Sequence, residues 1–196
     1  GWGVGCALPG LPALYTRVAA LTPWVQSVTG AGPLACADKA PTIVGTEGVD
    51  VLTGTPGDDV IVGLGGRDLI DGAGGDDLIC AGEGDDRVAG GEGDDILHGD
   101  GGADYLSGDA GHDILRGGDG DDRLAGGEGE DRLEGGTGID ILSGGPGRDR
   151  LFGGPAGDVL AGGPGRDRLA GARGADGLRG GGGPDVLRGG PGADRL

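Results

Sequence analysis

From Gly45 onward the chain repeats itself every nine residues, and this period restricts the available folds more than any other feature of the sequence. The span 45–196 holds sixteen complete nonamers and eight residues of a seventeenth, without insertion or deletion. In the register G-x-x-G-x-D-x-U-x, with U aliphatic, position six is Asp in every turn: Asp50, Asp59, Asp68, Asp77, Asp86, Asp95, Asp104, Asp113, Asp122, Asp131, Asp140, Asp149, Asp158, Asp167, Asp176, Asp185 and Asp194. Position eight is aliphatic throughout, from Leu52, Ile61, Ile70 and Ile79 to Leu187 and Leu196. Position four is Gly except at Ala156, and position one is Gly except at Ala81. Gly supplies 54 of the 196 residues, too many for a conventional core, since Gly interrupts regular elements and adds no side chain to pack. The absence of a strict three-residue Gly period excludes a collagen helix.

One turn, Gly90 to His98, shows what the pattern can build. Glycines at positions one, two and four let the backbone bend tightly and aim carbonyl oxygens inward. Asp95 adds a carboxylate, and Ile96, Leu97 and His98 form a very short strand with only Leu97 pointing inward. Such a strand is unstable alone and gains a ladder and a buried face only by stacking. With two nonamers per coil, turns n and n+2 stack about 4.8 Å apart. The expected fold is therefore an all-β parallel solenoid of seventeen nonapeptide turns. Stacking brings position-six carboxylates close together with carbonyls between them, an all-oxygen cage of the kind Ca²⁺ accepts. All seventeen position-six Asp residues are thus candidate calcium ligands. Two carboxylates about 5 Å apart repel by about 0.8 kcal/mol even in bulk water. The array is accordingly expected to be disordered without calcium and to fold on binding it.

This motif resembles the repeats-in-toxin (RTX) family of hemolysin-type calcium-binding repeats. The resemblance implies a right-handed parallel β-roll with Ca²⁺ between successive turns, in a secreted protein that folds where calcium is millimolar. The charge balance fits a cation partner: 15 basic residues against 33 acidic ones give a net charge of -18. That balance argues against nucleic acid and against an anionic membrane surface. No stretch approaches the roughly 18 apolar residues of a membrane span.

The array is not uniform. Between Gly45 and Ser143 there are 26 acidic and 5 basic residues, and position five is often a second acid, as at Asp58, Asp76, Asp85, Asp94, Asp121 and Glu130. Between Gly144 and Leu196 there are 6 acidic and 8 basic residues. Stronger calcium sites are expected over 45–143 and weaker ones over 144–196. The position-seven arginines Arg87, Arg123, Arg132, Arg150, Arg168 and Arg195 read as outward, solvated charges offsetting the Asp rows. His98 and His112 read as exposed residues rather than ligands. Cys80 reads as a free thiol, and Cys36 has Cys6 as a candidate partner in an oxidising compartment.

Residues 1–29 have a different texture and hold both Trp and both Tyr, and residues 30–44 read as a linker. The first segment reads as a bend, a strand over Ala13 to Val18 and a short helix near Trp24. Through Trp2-Gly3, Gly5-Cys6-Ala7, Pro12, Tyr15-Thr16-Arg17-Val18 and Pro23-Trp24-Val25 it resembles the C-terminal end of a trypsin-like, chymotrypsin-fold serine protease. The resemblance implies that Trp2 and Gly3 line a substrate cleft and that Ala13 stands at the wall of a specificity pocket. No Gly-Asp-Ser-Gly-Gly occurs, and the serines are Ser27, Ser107 and Ser143, so no catalytic triad can be assembled from this sequence. The chain begins with Gly and its last repeat stops one residue short, which reads as a piece of a larger protein. Two readings follow: the terminal module of an extracellular protease, or a standalone secreted calcium-binding or adhesion array with a degenerate protease remnant. A disordered acidic spacer is a third, disfavoured because fixed-phase aliphatics have no role in a spacer.

Overall fold

Alternation of side chains along an extended backbone decides which residues of each nonamer face inward. The computed structural model describes Cys36 and residues 39–196. It contains seventeen strands: β1 (Ile43–Val44), β2 (Val51–Thr53), β3 (Val60–Gly65), β4 (Leu69–Gly74), β5 (Leu78–Glu83), β6 (Arg87–Glu92), β7 (Ile96–Gly101), β8 (Tyr105–Ala110), β9 (Ile114–Asp119), β10 (Arg123–Glu128), β11 (Arg132–Thr137), β12 (Ile141–Ser143), β13 (Arg150–Pro155), β14 (Val159–Pro164), β15 (Arg168–Arg173), β16 (Gly177–Gly182) and β17 (Val186–Arg188). The described residues contain no helix. The trypsin-like segment, with Trp2, Gly3, Ala13 and Cys6, lies outside the described residues.

Odd-numbered strands form one nine-stranded sheet and even-numbered strands an eight-stranded one, each neighbour being two strands away in sequence. Every pair is parallel with an offset of eighteen residues, as in Ile96↔Ile114 and Leu97↔Leu115. This is a parallel β-solenoid with two nonamers per coil. Most strands are six residues long rather than the three expected from one nonamer. The ladder skips position one and resumes at positions two and three of the next repeat, with position two at positive φ, so the turn is compressed into positions four to six.

Position eight fills the core. Ile61, Ile70, Ile79, Leu97, Leu106, Leu115, Leu133, Leu151 and Leu160 are completely buried in one continuous cluster. Position one also faces inward, and its Gly leaves room for the carboxylate of the same turn: a Cβ on Gly99 would stand 2.2 Å from Asp104 Oδ2. Ala81 is the exception, and its methyl joins the core. The roll begins ahead of the repeat register, since β1 pairs with β3 through Ile43↔Ile61 and Val44↔Val62. A second apolar cluster lies on the outer face of β3 and β5, where Cys36 packs with Val62 and Leu78. Cys80 is not a free thiol there but forms a disulfide with Cys36, across a separation of 44 residues. Spacing concealed this pair because Cys36 lies before the repeat and its partner is brought near only by coiling.

Candidate calcium-binding columns

Stacking by eighteen residues sorts the position-six carboxylates into two columns, one at each edge of the roll. Within a column each Asp backbone N–H donates to the Oδ1 of the Asp one coil further on. Asp86 to Asp104, Asp95 to Asp113 and Asp104 to Asp122 each span 2.8 Å, and the contact recurs from Asp50 to Asp194. One oxygen of each carboxylate thus locks the register. The other behaves differently along the chain.

In thirteen turns, from Asp68 through Asp176, Oδ2 is buried and has no hydrogen-bond partner. A buried carboxylate oxygen without a donor is costly, and its repetition at a fixed position calls for a cation. In the first two turns the same oxygen is satisfied. Thr46 donates to Asp50 Oδ2 through its N–H at 2.6 Å and its hydroxyl at 2.8 Å. Thr55 does the same for Asp59, at 2.6 and 2.9 Å. From Leu64 onward position two takes positive φ in every turn, for example 83° at Leu64 and 73° at Asp100. Its N–H then bonds to the next coil, as in Gly127 N–H to Gly144 O, and no longer caps the carboxylate. At the far end Asp185 and Asp194 are only half-buried.

The remaining donors are backbone carbonyls. The position-four oxygens of Gly66, Gly75, Gly84, Gly93 and Gly102 accept no hydrogen bond among the described residues. They face the next coil: a Cβ on Gly84 would lie 1.4 Å from Gly66 O. Nowhere among the described residues do three Asp, Glu, His or Cys side chains converge as a metal cluster. Each turn from Asp59 through Asp176 offers one buried carboxylate, so a cation here draws mainly on main-chain oxygens, a donor set suited to Ca²⁺ and not to a transition metal.

The electrostatics point the same way. Burial pushes Asp104 and Asp113 up to about 7, and the carboxylates one coil away add to the rise while the backbone N–H opposes it. Asp77, Asp95, Asp140, Asp149 and Asp158 are raised to about 6, with burial again the largest cause. Asp104 and Asp113 are therefore only about half ionised at neutral pH, and an arriving cation favours the charged form along the whole column.

The position-five acids form a separate outer ladder that the sequence did not reveal. Asp58 accepts the N–H of Asp76 at 3.0 Å, Asp76 that of Asp94 at 2.9 Å, and Asp94 that of His112 at 2.8 Å. His112 continues the row, its Nδ1 accepting the Glu130 N–H at 2.8 Å. These side chains brace the turns from outside. Thr at position two of the first two turns was the visible signal for the capped carboxylates, being a donor where later turns have Gly, Ala, Leu or Asp.

A parallel solenoid with buried, half-satisfied carboxylates along thirteen consecutive turns belongs to the class of cation-binding repeat proteins. The family model for the RTX calcium-binding nonapeptide repeat (4 copies) matches residues 44–79, 81–115, 107–142, 143–178 and 171–196. The chain belongs to that family, and calcium is its ligand class.

Proposed function

We propose that this chain is a calcium-gated folding module in which Asp68 through Asp176 ligate Ca²⁺ together with position-four carbonyls of adjacent coils. The observation that carries the reading is the run of thirteen buried Asp Oδ2 atoms without a partner. Asp50 and Asp59, capped by Thr46 and Thr55, and the half-buried Asp185 and Asp194 are the weakest candidates among the seventeen. Within the array, residues 45–143 hold tighter sites than 144–196, because the first span carries 26 acids to 5 bases and the second 6 to 8. The setting is extracellular. The Cys36–Cys80 disulfide supports an oxidising compartment, and the family's members work where calcium is abundant. The trypsin-like character of residues 1–29 makes the module the C-terminal part of a secreted serine protease, tested by whether the reading frame upstream of Gly1 encodes a His, an Asp and a Gly-Asp-Ser-Gly motif.

Folding is tested by circular dichroism of the full chain during calcium titration at pH 7.5. We expect a disordered spectrum in chelator, a cooperative rise in β signal by millimolar Ca²⁺, and reversal when chelator is restored. An unchanged spectrum across that range sinks the reading.

A further inference from the structure

The outer face of the nine-stranded sheet changes character along the roll. In-register pairing stacks position seven of alternate turns as Val60, Leu78, Ile96 and Ile114, and then as Arg132, Arg150 and Arg168. Arginines in adjacent parallel strands sit about 4.8 Å apart at the backbone. Arg148 and Arg166, two residues earlier in the same turns, stack as a second row beside them.

The partners of these cations are unequal. Arg132 pairs with Glu134 and lies over the Phe152 ring, 5.0 Å from its centroid. Arg148 pairs with Glu130 at 2.9 Å. The side chains of Arg150, Arg166 and Arg168 are exposed and make no ion pair or hydrogen bond among the described residues. The reason is compositional: all six acidic residues between Gly144 and Leu196 are position-six Asp residues held at the coil edges, four of them buried. Apart from the half-buried Asp185 and Asp194, the exterior of this stretch carries arginine without carboxylates, although the whole chain has a net charge of -18.

Two grooves meet at these residues. One, of about 660 Å³, runs between Phe152 and Arg188 over Arg150 and Arg168. The other, of about 240 Å³, shares Arg150 and Arg168, adds Arg148 and Arg166, and is also lined by Glu130, the partner of Arg148, and by the buried Asp149 and Asp167. Guanidinium forks match tetrahedral oxyanions by bidentate hydrogen bonds. The half-exposed Phe152 offers an apolar face beside them.

We propose that this face binds a sugar bearing sulfate or phosphate esters, with Arg150, Arg166 and Arg168 on the oxyanions and Phe152 against the ring. A short, discrete ligand fits better than a duplex or a bilayer. The row spans only three strands, and the acidic remainder of the chain repels an extended polyanion. The row exists only where the coils are stacked, so the proposal rests on the calcium-folded state.

The test uses the full chain in calcium, its β signal verified first, so that failure to fold and failure to bind are distinguished. A sulfated heparin tetrasaccharide is titrated by calorimetry in moderate salt. We expect saturable binding that weakens about tenfold or more in R150A/R168A. R87A/R123A, on the opposite sheet where Tyr105 separates the two arginines, should change it less than about twofold. F152L should weaken the tetrasaccharide while leaving inorganic sulfate unaffected. Equal loss in both arginine pairs, equal binding of the desulfated tetrasaccharide, or inorganic sulfate binding as tightly as the sugar overturns the proposal. Preferential binding to anionic phospholipid vesicles or duplex DNA, abolished by R150A/R168A, also overturns it.

Discussion

Turns before and after Ser143 share one interior and differ outside. Inside, the Asp N–H to Oδ1 contact is the same on both sides, 2.8 Å at Asp95–Asp113 and 3.0 Å at Asp149–Asp167. Asp95 and Asp149 are both raised to about 6, and both leave Oδ2 unpartnered. Outside, the early turns carry the Asp58–Asp76–Asp94–His112 ladder, whereas the later ones place Arg148, Gly157, Arg166, Ala175 and Pro184 at position five. The coil edge is therefore a conserved internal device within this molecule, and the outer row is free to vary. Cation coordination belongs to the first and long-range field to the second.

The largest effect that would sharpen this comparison is a response to pH without calcium. The buried aspartates have higher folded-state values, about 7 at Asp104 and Asp113, than the ordinary value near 3.8 of the unfolded chain. The folded form therefore holds more protons between about pH 4 and pH 7, so apo stability falls as pH rises through that window. We expect the calcium-free chain to gain β signal near pH 4.5 and lose it by pH 7.5. Because the rise comes from burial, hydrogen exchange at low pH should show protection on both sides of Ser143. At neutral pH and limiting calcium, protection should appear first between residues 63 and 143. Acid-induced protection confined to one side would break the equivalence of the two interiors.

The period made this interior legible. Position eight gave the core, and the eighteen-residue stack followed from needing two short strands per coil, so Leu97 and Asp95 stand where their positions required. What the sequence hid depends on the direction of backbone N–H groups. The letters mark Thr55 as a donor for its own carboxylate, but they do not show the φ of 83° at Leu64 that turns its N–H away and leaves the next carboxylate orphaned. Strand length was underestimated because Gly at positions one to three reads as a bend, while stacking recruits it into the ladder. Cys36–Cys80 and the clustering of Arg148, Arg150, Arg166 and Arg168 needed the coil geometry, since neither has a local signature.

A substitution at position four probes whether the stacking distance is the same on both sides. A Cβ on Gly84 would meet Gly66 O at 1.4 Å, and one on Gly174 would meet Ala156 O at 1.4 Å, with φ of 137° and 146°. Both substitutions to Ala combine a backbone clash with a left-handed conformation and should cost about 3 kcal/mol or more. Gly57 has ordinary φ and nothing within 4 Å of its added Cβ, so Gly57→Ala should be neutral or stabilising by about 0.4–1 kcal/mol. Thermal melts in saturating calcium check all three. A tolerated Gly174→Ala beside a damaging Gly84→Ala would mean that the later coils yield where the earlier ones do not.

The smallest effect tests the outer row itself. Asp94→Ala removes the acceptor for the His112 N–H on an exposed edge, where water can replace it. We expect a loss of about 0.5–1.5 kcal/mol in calcium-saturated stability. Arg166→Ala, at the equivalent position of a later turn with no ladder to break, should stay within about 0.5 kcal/mol of the parent. Calcium affinity should move the other way round in cause. Removing Asp94 weakens binding by subtracting negative field, and removing Arg166 strengthens it by relieving positive field, both effects fading as salt is raised. If Asp94→Ala lowers stability at high salt as much as at low salt, the outer row acts through its hydrogen bonds. If the loss vanishes with salt, the row acts through charge alone, and the contrast between the two stretches reduces to their electrostatics.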